Sequence, residues 1–268
     1  ITPPTAPTTL SSTDHTASVW SGDDTISVSW SGASDATSGV SGYSVLFNQT
    51  SNSLPDTTID TYGTSDTSDP LADAANWYAH VRSRDAAGNW SSTARHSGPY
   101  WIDTTPPGNP SSVSSSSHAP SVWSADNTIA MSWSGASDAG SGVSGYSYVW
   151  DTSPSTLPNT VVDTSGTSTT SPARSTGSSH YFHIRTQDAV GNWAATAVHR
   201  GPYYVDTAAP SSSASSPASV GSTSFTVSWS GSDSGSGIDS YDVQYKNVTT
   251  GGSWTTWKSA VSYLSSSF

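Results

Sequence analysis

The chain lacks cysteine and glutamate altogether and is poor in lysine and methionine. Without cysteine, disulfide bonds, thiol catalysis and cysteine-ligated zinc are all excluded. Glutamate, lysine and methionine are good helix formers, whereas serine and threonine, which number 61 and 35 here, favour turns, caps or strands. The composition therefore argues strongly against a mainly helical protein.

Positive charge is scarce as well. Lysine and arginine together number 8 against 20 aspartates, which gives a net charge of −12, and the basic residues form no cluster. Because nucleic-acid binding needs clustered lysine and arginine side chains facing the phosphates, we expect no nucleic-acid partner. The sequence also has no apolar run of about 20 residues, so it predicts no membrane span in this segment.

What the sequence does contain is a tandem repeat. Residues 19–35 recur at residues 122–138, an offset of 103 positions, and the same offset relates the Gly-Asn-Trp sequence at 88–90 to that at 191–193. A third, diverged copy begins near Pro210. Self-similarity at a fixed period indicates an array of similar domains. We therefore predict three domains, hereafter units 1, 2 and 3, at residues 1–105, 106–208 and 209–268.

Each unit carries the patterns of β-strands. In unit 1, Ile26, Val28 and Trp30 alternate with serine, the period-2 pattern of a half-buried strand. Further runs of this type lie at residues 43–47, 78–83 and 100–102, separated by segments rich in Gly, Asp and Pro. Strands at such intervals predict an all-β fold in which each repeat of about 103 residues forms one β-sandwich.

These motifs resemble the fibronectin type III-like and Ig-like repeats of large bacterial extracellular proteins. The resemblance rests on the strand-ending Trp30 and its copies, on Tyr-Ser-Val at 43–45, on Arg-Asp-Ala-Ala-Gly-Asn at 84–89 and on the Asp-Thr-Thr-Pro-Pro linker at 103–107. It implies tandem Ig-like or fibronectin type III-like β-sandwiches at an extracellular or cell-surface location. It implies little about activity, because sandwiches host many functions.

No catalytic constellation is recognisable. Glutamate is absent, and the aspartates fall mainly in turns rather than around a cleft. Six of the seven histidines are repeat-equivalent pairs without the short spacing of metal ligands, and we expect them on strand surfaces; the pairs are His15 and His118, His80 and His183, and His96 and His199. We therefore expect no enzymatic activity.

The acidic loop residues are the candidate metal ligands. In a sandwich of this type, two loops of each unit lie at the end where the preceding linker enters. Carboxylate and amide oxygens meeting there would suit Ca²⁺. The first junction would join Asp103, Asp138, Asp188 and Asn192. The candidates elsewhere are Asp35, Asp85 and Asn89 in unit 1, and Asp206 and Asp233 at the second junction. The alternative is that each aspartate only caps its own loop, since Asp and Asn bond nearby backbone N–H groups.

Tryptophans and glycosylation motifs leave further alternatives open. Trp30, Trp133 and Trp229 are expected in the cores, whereas tryptophans at strand ends either pack across loops or stack on sugars; the latter are Trp20, Trp123, Trp90 and Trp193. N-glycosylation sequons begin at Asn48, Asn89 and Asn247. The serine-rich stretches at 111–117 and 211–216 are flexible segments or O-glycan acceptors.

These observations favour a non-enzymatic structural segment (a stalk, spacer or surface fibre) of a large secreted or cell-surface protein. The alternatives are a carbohydrate-binding accessory region of a secreted glycan-active enzyme, or an adhesin region with a glycan or cell-surface partner. Unit 3 shows no sequence like the last two strands of units 1 and 2. We expect a longer repeat array to complete it, or a strand from a neighbouring chain to do so by self-association into a fibre.

Overall fold

The computed structural model describes residues 2–268, and its regular structure consists of β-strands. Short strands are what the serine- and threonine-rich, alternating sequence favours, because β-branched and aromatic residues fit a pleated, half-buried surface. Within the described residues, no helix of the length and apolar character needed to cross a membrane is found. The expectation of an all-β chain is confirmed.

Unit 1 is a sandwich of two sheets. One sheet has the order β1-β3-β5 and the other has the order β2-β7-β6-β4. The short β2 pairs in parallel with β7, and the remaining pairs are antiparallel. The strands are β1 (Thr9–Ser12), β2 (Trp20–Ser21), β3 (Ser27–Ser31), β4 (Val40–Asn48), β5 (Ser65–Thr67), β6 (Ala74–Asp85) and β7 (Arg95–Ile102).

Unit 2 repeats this arrangement strand for strand. Its sheets have the orders β12-β10-β8 and β11-β13-β14-β9. The strands are β8 (Ser112–Ser115), β9 (Trp123–Ser124), β10 (Ala130–Ser134), β11 (Val143–Asp151), β12 (Ser168–Thr170), β13 (Gly177–Asp188) and β14 (Val198–Val205). The two units are therefore tandem β-sandwiches of the Ig-like and fibronectin type III-like class.

The core of each sandwich lies between its two sheets. The alternation in β3 places Ile26, Val28 and Trp30 inward, with 0%, 1% and 4% of their surfaces exposed. The facing sheet contributes Val81 and Ile102, both fully buried. Burying such side chains contributes about 1.5–3 kcal/mol each. The core is thus built from the aromatic and branched residues that the pattern singled out.

Unit 3 contains five strands, and no counterpart of β6 or β7 occurs within the described residues. Strands β15, β16 and β19 form one sheet, and β17 pairs with β18. Strand β18 lies where residues near Thr61 lie in unit 1, because Tyr241 pairs with Val261 as Tyr43 pairs with Thr61. The strands are β15 (Ser211–Ser215), β16 (Thr226–Ser232), β17 (Tyr241–Tyr245), β18 (Thr255–Val261) and β19 (Ser265–Ser267).

Candidate metal centre

The junction between units 1 and 2 is built around Asp103, the residue that follows β7. Its backbone N–H donates to the carbonyl of Ser21 at 2.9 Å, which extends the pairing of β7 with β2 by one residue. Only 1% of Asp103 is exposed. The backbone of this residue therefore belongs to unit 1, and its carboxylate points towards unit 2.

The linker that follows is hydrogen-bonded to both units. Thr104 donates to Asp73 of unit 1 through its backbone N–H and its hydroxyl, each at 2.8 Å. Gly108 donates to the carbonyl of Ser137 at 2.8 Å, and Asn109 donates to the carbonyl of Thr196 at 2.7 Å. A linker with so many partners is a stiff connection rather than a free hinge.

Two loops of unit 2 bring further carboxylates to this place. Asp138 lies between β10 and β11, where its Oδ2 accepts the N–H groups of Gly140 at 3.0 Å and Gly142 at 2.7 Å. Asp188 ends β13, and its Oδ1 accepts three successive N–H groups of the following turn, from residues 190–192, at 2.7–3.1 Å. Each carboxylate thereby fixes the shape of its own loop.

Carboxylate oxygens of Asp103, Asp138 and Asp188 lie within 4.8 Å of one another. Asp188, like Asp103, is 1% exposed, and Asp138 is partly buried. Ca²⁺ binds oxygen ligands at about 2.3–2.6 Å, so ligands on opposite sides of one ion are about 5 Å apart. Three like charges this close repel one another in the absence of a cation. The oxygen set and its spacing therefore fit a divalent cation of this kind.

Unit 2 approaches Asp103 closely through a glycine. The backbone N–H of Ser141 donates to Oδ2 of Asp103 at 2.7 Å, and a Cβ added at Gly140 would overlap the carboxylate. Gly235 of unit 3 stands in the same relation to Asp206. Unit 1 has Thr37 at the equivalent loop position. A residue without a side chain is thus found where a linker carboxylate packs against the loop.

Asn192 also reaches the cluster, but it presents its amide nitrogen rather than an oxygen. Its Nδ2 donates to Oδ2 of Asp188 at 2.8 Å and to the backbone carbonyl of Asp103 at 3.1 Å. Asn192 therefore acts here as a bridging hydrogen-bond donor. The physical reason is that carboxylates and carbonyls offer only lone pairs, so the amide turns its N–H₂ group towards them.

The equivalent residues of unit 1 lie at the opposite end of that unit. Asp35 accepts three backbone N–H groups of its own loop, from residues 37–39, and the N–H of Ser38 is the main cause of its lowered pKa. The pKa of Asp85 is lowered chiefly by the side-chain amide of Asn89, which donates to it at 2.7 Å. The three side chains form a two-carboxylate version of the junction cluster.

The second junction also has two carboxylates. Ser236 donates its N–H to Oδ2 of Asp206 at 2.6 Å, and hydrogen bonds from Ser236 are the main cause of the lowered pKa of Asp206. Asp233 accepts from the backbone of Gly235 and Gly237, and its Oδ1 is a buried atom with no hydrogen-bond partner. Within the described residues, unit 3 offers no counterpart of Asp188. The nine candidate residues thus form one three-carboxylate cluster and two smaller ones. The aspartates cap their own loops and also lie close to other carboxylates, so the two alternatives occur together.

The histidines differ from the expectation. His80 and His183 are fully buried rather than on strand surfaces, and each contacts the histidine opposite it on the neighbouring strand. His15 and His118 are also buried, and each places Nε2 about 3 Å from a backbone carbonyl, that of Asp23 or of Asp126. The repetition of His80 and His96 at the same offset in unit 2 was the indication that the sequence offered.

The tryptophans at the strand ends pack within the units. The guanidinium of Arg82 lies over the ring of Trp90 at 4.8 Å, and that of Arg185 lies over Trp193 at 5.0 Å. Trp20 packs on Trp101, with ring centroids 5.3 Å apart, as Trp123 packs on Tyr204 at 5.0 Å. Each of these rings thus packs against a side chain of its own unit, which favours packing across loops over sugar stacking.

The sequon asparagines also differ in their surroundings. Asn48 donates to Ser53 at 2.7 Å, and the amide of Asn89 is bound to Asp85. Asn247 is exposed in the turn between β17 and β18, where its Oδ1 accepts two backbone N–H groups. Within the described residues, Asn247 is the one sequon asparagine that lies on an exposed turn.

Comparison with known proteins assigns no family to this chain. No family model matches the chain, and no curated protein matches it. Among solved structures, a match is the crystal structure of the chicken CNTN1 FN1–FN3 domains, with a TM-score of 0.32 and 13% identity. The match covers 99% of this chain and 88% of that chain. At this level of similarity, neither a function nor a partner follows from it.

Proposed function

We propose that this chain is a non-enzymatic structural segment (a stalk, spacer or surface fibre) of a secreted or cell-surface protein, and that Ca²⁺ stiffens the junction between units 1 and 2. One observation carries the proposal. Asp103 is shared between the units, because its backbone is bound to Ser21 of unit 1 while its carboxylate is bound to Ser141 of unit 2. A spacer transmits length and direction only if such junctions resist bending.

The linker supports the mechanical role. Residues 104 and 105 are hydrogen-bonded to Asp73 of unit 1, and residues 108 and 109 are hydrogen-bonded to loops of unit 2. Adjacent prolines at 106 and 107 restrict the backbone between these two attachment points. Bending at the junction therefore requires breaking several hydrogen bonds at once.

The cation supports the same role through electrostatics. Asp103 comes from the end of unit 1, and Asp138 and Asp188 come from two loops of unit 2. A bound Ca²⁺ converts repulsion between these carboxylates into attraction that crosses the junction. A site of three carboxylates completed by water has modest affinity, typical of extracellular modules that meet millimolar Ca²⁺. This is why we place the protein at the cell surface or outside the cell.

Unit 3 supports the role of an array. A groove of about 480 Å³ opens where β6 and β7 cover unit 1, and its apolar wall includes Phe225, Val243, Trp257 and Phe268. The side of β17 away from β18 has no strand partner within the described residues. An uncovered apolar face beside an unpaired strand favours association. We propose that further strands of a longer repeat array cover it, with self-association into a fibre as the alternative.

The test compares the protein with Ca²⁺ and with chelator. Thermal unfolding measures stability, and small-angle X-ray scattering measures the maximum dimension and the spread of shapes. We expect millimolar Ca²⁺ to raise the melting temperature and to narrow the distribution of inter-unit orientations. Mg²⁺ at the same concentration serves as the control for ionic strength. Identical melting curves and scattering profiles in Ca²⁺ and chelator would leave loop capping as the whole role of these aspartates.

A further inference from the structure

Units 1 and 2 each contain a buried pair of histidines that joins their last two strands. His80 on β6 lies directly opposite His96 on β7, and His183 on β13 lies opposite His199 on β14. In both pairs the two Nδ1 atoms are 2.7 Å apart, and the ring centroids are 4.9 Å apart. His80 and His183 are fully buried, and their partners are half-buried.

The contacts of unit 1 fix the proton positions in its neutral pair. The amide of Asn48 is oriented by two bonds, since Nδ2 donates to Ser53 and Oδ1 accepts from the N–H of Thr50. Its Oδ1 therefore faces Nε2 of His80, 3.1 Å away, and this nitrogen must be the donor. A neutral His80 then has a bare Nδ1, which accepts the Nδ1–H of His96.

Protonation of both rings breaks this arrangement, because neither ring then has a bare nitrogen that can accept. Each ring would direct its Nδ1–H at the Nδ1–H of the other across 2.7 Å. Two N–H groups cannot form a hydrogen bond, and two imidazolium rings in a buried site repel each other. Protonation of the pair thus acts against the contact between β6 and β7.

Unit 2 differs at one position. Asp151 replaces Asn48, and its Oδ1 lies 3.0 Å from Nε2 of His183. A carboxylate beside an imidazole stabilises the protonated ring, whereas an amide oxygen provides no compensating charge. The two units therefore contain the same histidine pair with and without a counter-ion.

We propose that the two histidine pairs are acid-sensitive contacts between the last two strands of units 1 and 2, and that Asp151 makes unit 2 the more acid-tolerant of the two. Acidification then loosens unit 1 first, while unit 2 and its part of the junction keep their structure. The device requires no ligand, because the proton itself is the effector.

The pKa directions agree with the geometry. Burial, followed by the charge of His96, lowers the pKa of His80 to about 4. Burial and the neighbouring Arg95 lower the pKa of His96. Burial and His183 lower the pKa of His199, and Asp151 acts in the opposite direction. The other titratable or charged groups at the pairs are Tyr78, stacked near His80, Tyr181, stacked near His183, Arg200, which follows His199, and Arg174, whose pKa burial lowers and the charge of Asp151 raises.

The sign of the effect follows from linkage. A histidine whose folded pKa lies below its ordinary value of 6.5 binds a proton more readily when the unit opens. Its contribution to stability is complete above about pH 6.5 and is lost as the pH falls towards 4. Each such proton raises the opening constant by up to about tenfold per pH unit in this window.

The test uses hydrogen exchange on the full chain between pH 7 and pH 4.5. Protection factors, which are corrected for the intrinsic pH dependence of exchange, are compared for β6–β7 and β13–β14. We expect protection of β6–β7 to fall by about tenfold per pH unit below pH 6, and that of β13–β14 to fall less steeply. Asp151→Asn should steepen the dependence of unit 2, and Asn48→Asp should flatten that of unit 1.

Two controls separate this proposal from a merely structural role. His180→Trp introduces the residue that unit 1 has at that position, Trp77, and should leave both slopes unchanged. Circular dichroism spectra at pH 7.5 establish that Asp151→Asn and Asn48→Asp, in which the side chain hardly changes its shape, are folded. Equal slopes in the two units, or variants that lower protection by the same factor at every pH, would overturn the proposal.

Discussion

Ser141 of unit 2 donates its backbone N–H to the carboxylate of Asp103 at the end of unit 1, with N and Oδ2 2.7 Å apart. The bond crosses the junction beside Gly140, whose missing side chain leaves room for the carboxylate. The orientation of two otherwise separate sandwiches therefore depends on a small group of atoms, and its disturbance has measurable consequences.

Gly140→Ala tests this close approach. The added Cβ would overlap the Asp103 carboxylate and push the linker away from the loop. Overpacking of this kind costs about 1–3 kcal/mol. We expect a lower melting temperature and a broader distribution of shapes in small-angle scattering. Thr37→Ala, at the same loop position of unit 1, is the matched control and should change neither. A Gly140→Ala protein indistinguishable from wild type would mean that the junction yields easily.

Asp138→Asn tests the cation site, and Asp35→Asn is its matched control. Both aspartates hold the same loop of their units through backbone N–H groups, but only Asp138 lies beside two other carboxylates. Binding to the folded state stabilises by about 2.7 kcal/mol at a hundredfold excess over the dissociation constant. We expect Asp138→Asn to lose most of the Ca²⁺-dependent gain in calorimetry and Asp35→Asn to keep it. An equal loss in both variants would contradict a site at the junction.

Trp133→Ala tests the core of unit 2. Trp133 is 4% exposed and packs on Tyr146 and Phe182, with ring centroids 5.4 and 5.9 Å away. Truncating a buried aromatic residue costs about 3–5 kcal/mol. Urea unfolding monitored by hydrogen exchange should show that the loss of stability is confined to unit 2 and that the amides of β6–β7 stay protected. Trp193→Ala, which removes a half-buried ring beneath Arg185, should cost less. Near-wild-type unfolding of Trp133→Ala would show that the assigned core is wrong.

Asp14→Ser tests the acid dependence of unit 1 below the histidine range. Burial raises the pKa of Asp14, but hydrogen bonds from His15, Ser12 and Ser27 outweigh this effect and lower the pKa to about 2. The stabilisation is complete above the ordinary value of 3.8 and is lost as the pH falls through about 2. Because this carboxyl is largely exposed, we expect its ionisation to contribute no more than about 1 kcal/mol to the free energy of unfolding.

Serine is the natural replacement for Asp14, because unit 2 has Ser117 there, which accepts the N–H of Ala130 at 3.0 Å. Denaturant unfolding at pH 2, 3, 4 and 7 should show a smaller loss between pH 4 and pH 2 for Asp14→Ser than for wild type. Parallel stability curves for the two proteins would assign the acid loss to other aspartates.

Limited proteolysis tests the open face of unit 3. Tyr245 and Phe268 line the groove and are 41% and 42% exposed, and Trp254, just before β18, is 65% exposed. We expect protease to cleave the 268-residue chain first within unit 3, while units 1 and 2 resist cleavage. The alternative outcome is self-association, which light scattering detects as an increased mass. A chain extended after Phe268 by a copy of residues 71–102, which contain β6 and β7, should have a unit 3 that is more resistant to protease. A monodisperse monomer with a protease-resistant unit 3 would show that its five strands form a stable domain.

Much of the fold could be predicted from the sequence, because the relevant rules are local. The alternation of Ile26, Val28 and Trp30 with serine specifies a strand and its buried face whatever surrounds it. The offset of 103 residues then transfers that assignment to unit 2. The meeting of Asp103 with Asp138 and Asp188 was also predictable, since linker and loops of a tandem sandwich share one end.

Other features depended on the tertiary structure because they are set by register and by close packing. The direction of the Asn192 amide follows from the lone pairs around it, and the role of Gly140 follows from a carboxylate 37 positions earlier in the chain. The contact between His80 and His96 requires the antiparallel register of β6 and β7, in which a shift of one residue would turn the rings to opposite faces. Composition and period determined the strands and their order, and the pairing of strands decided which polar groups are buried together.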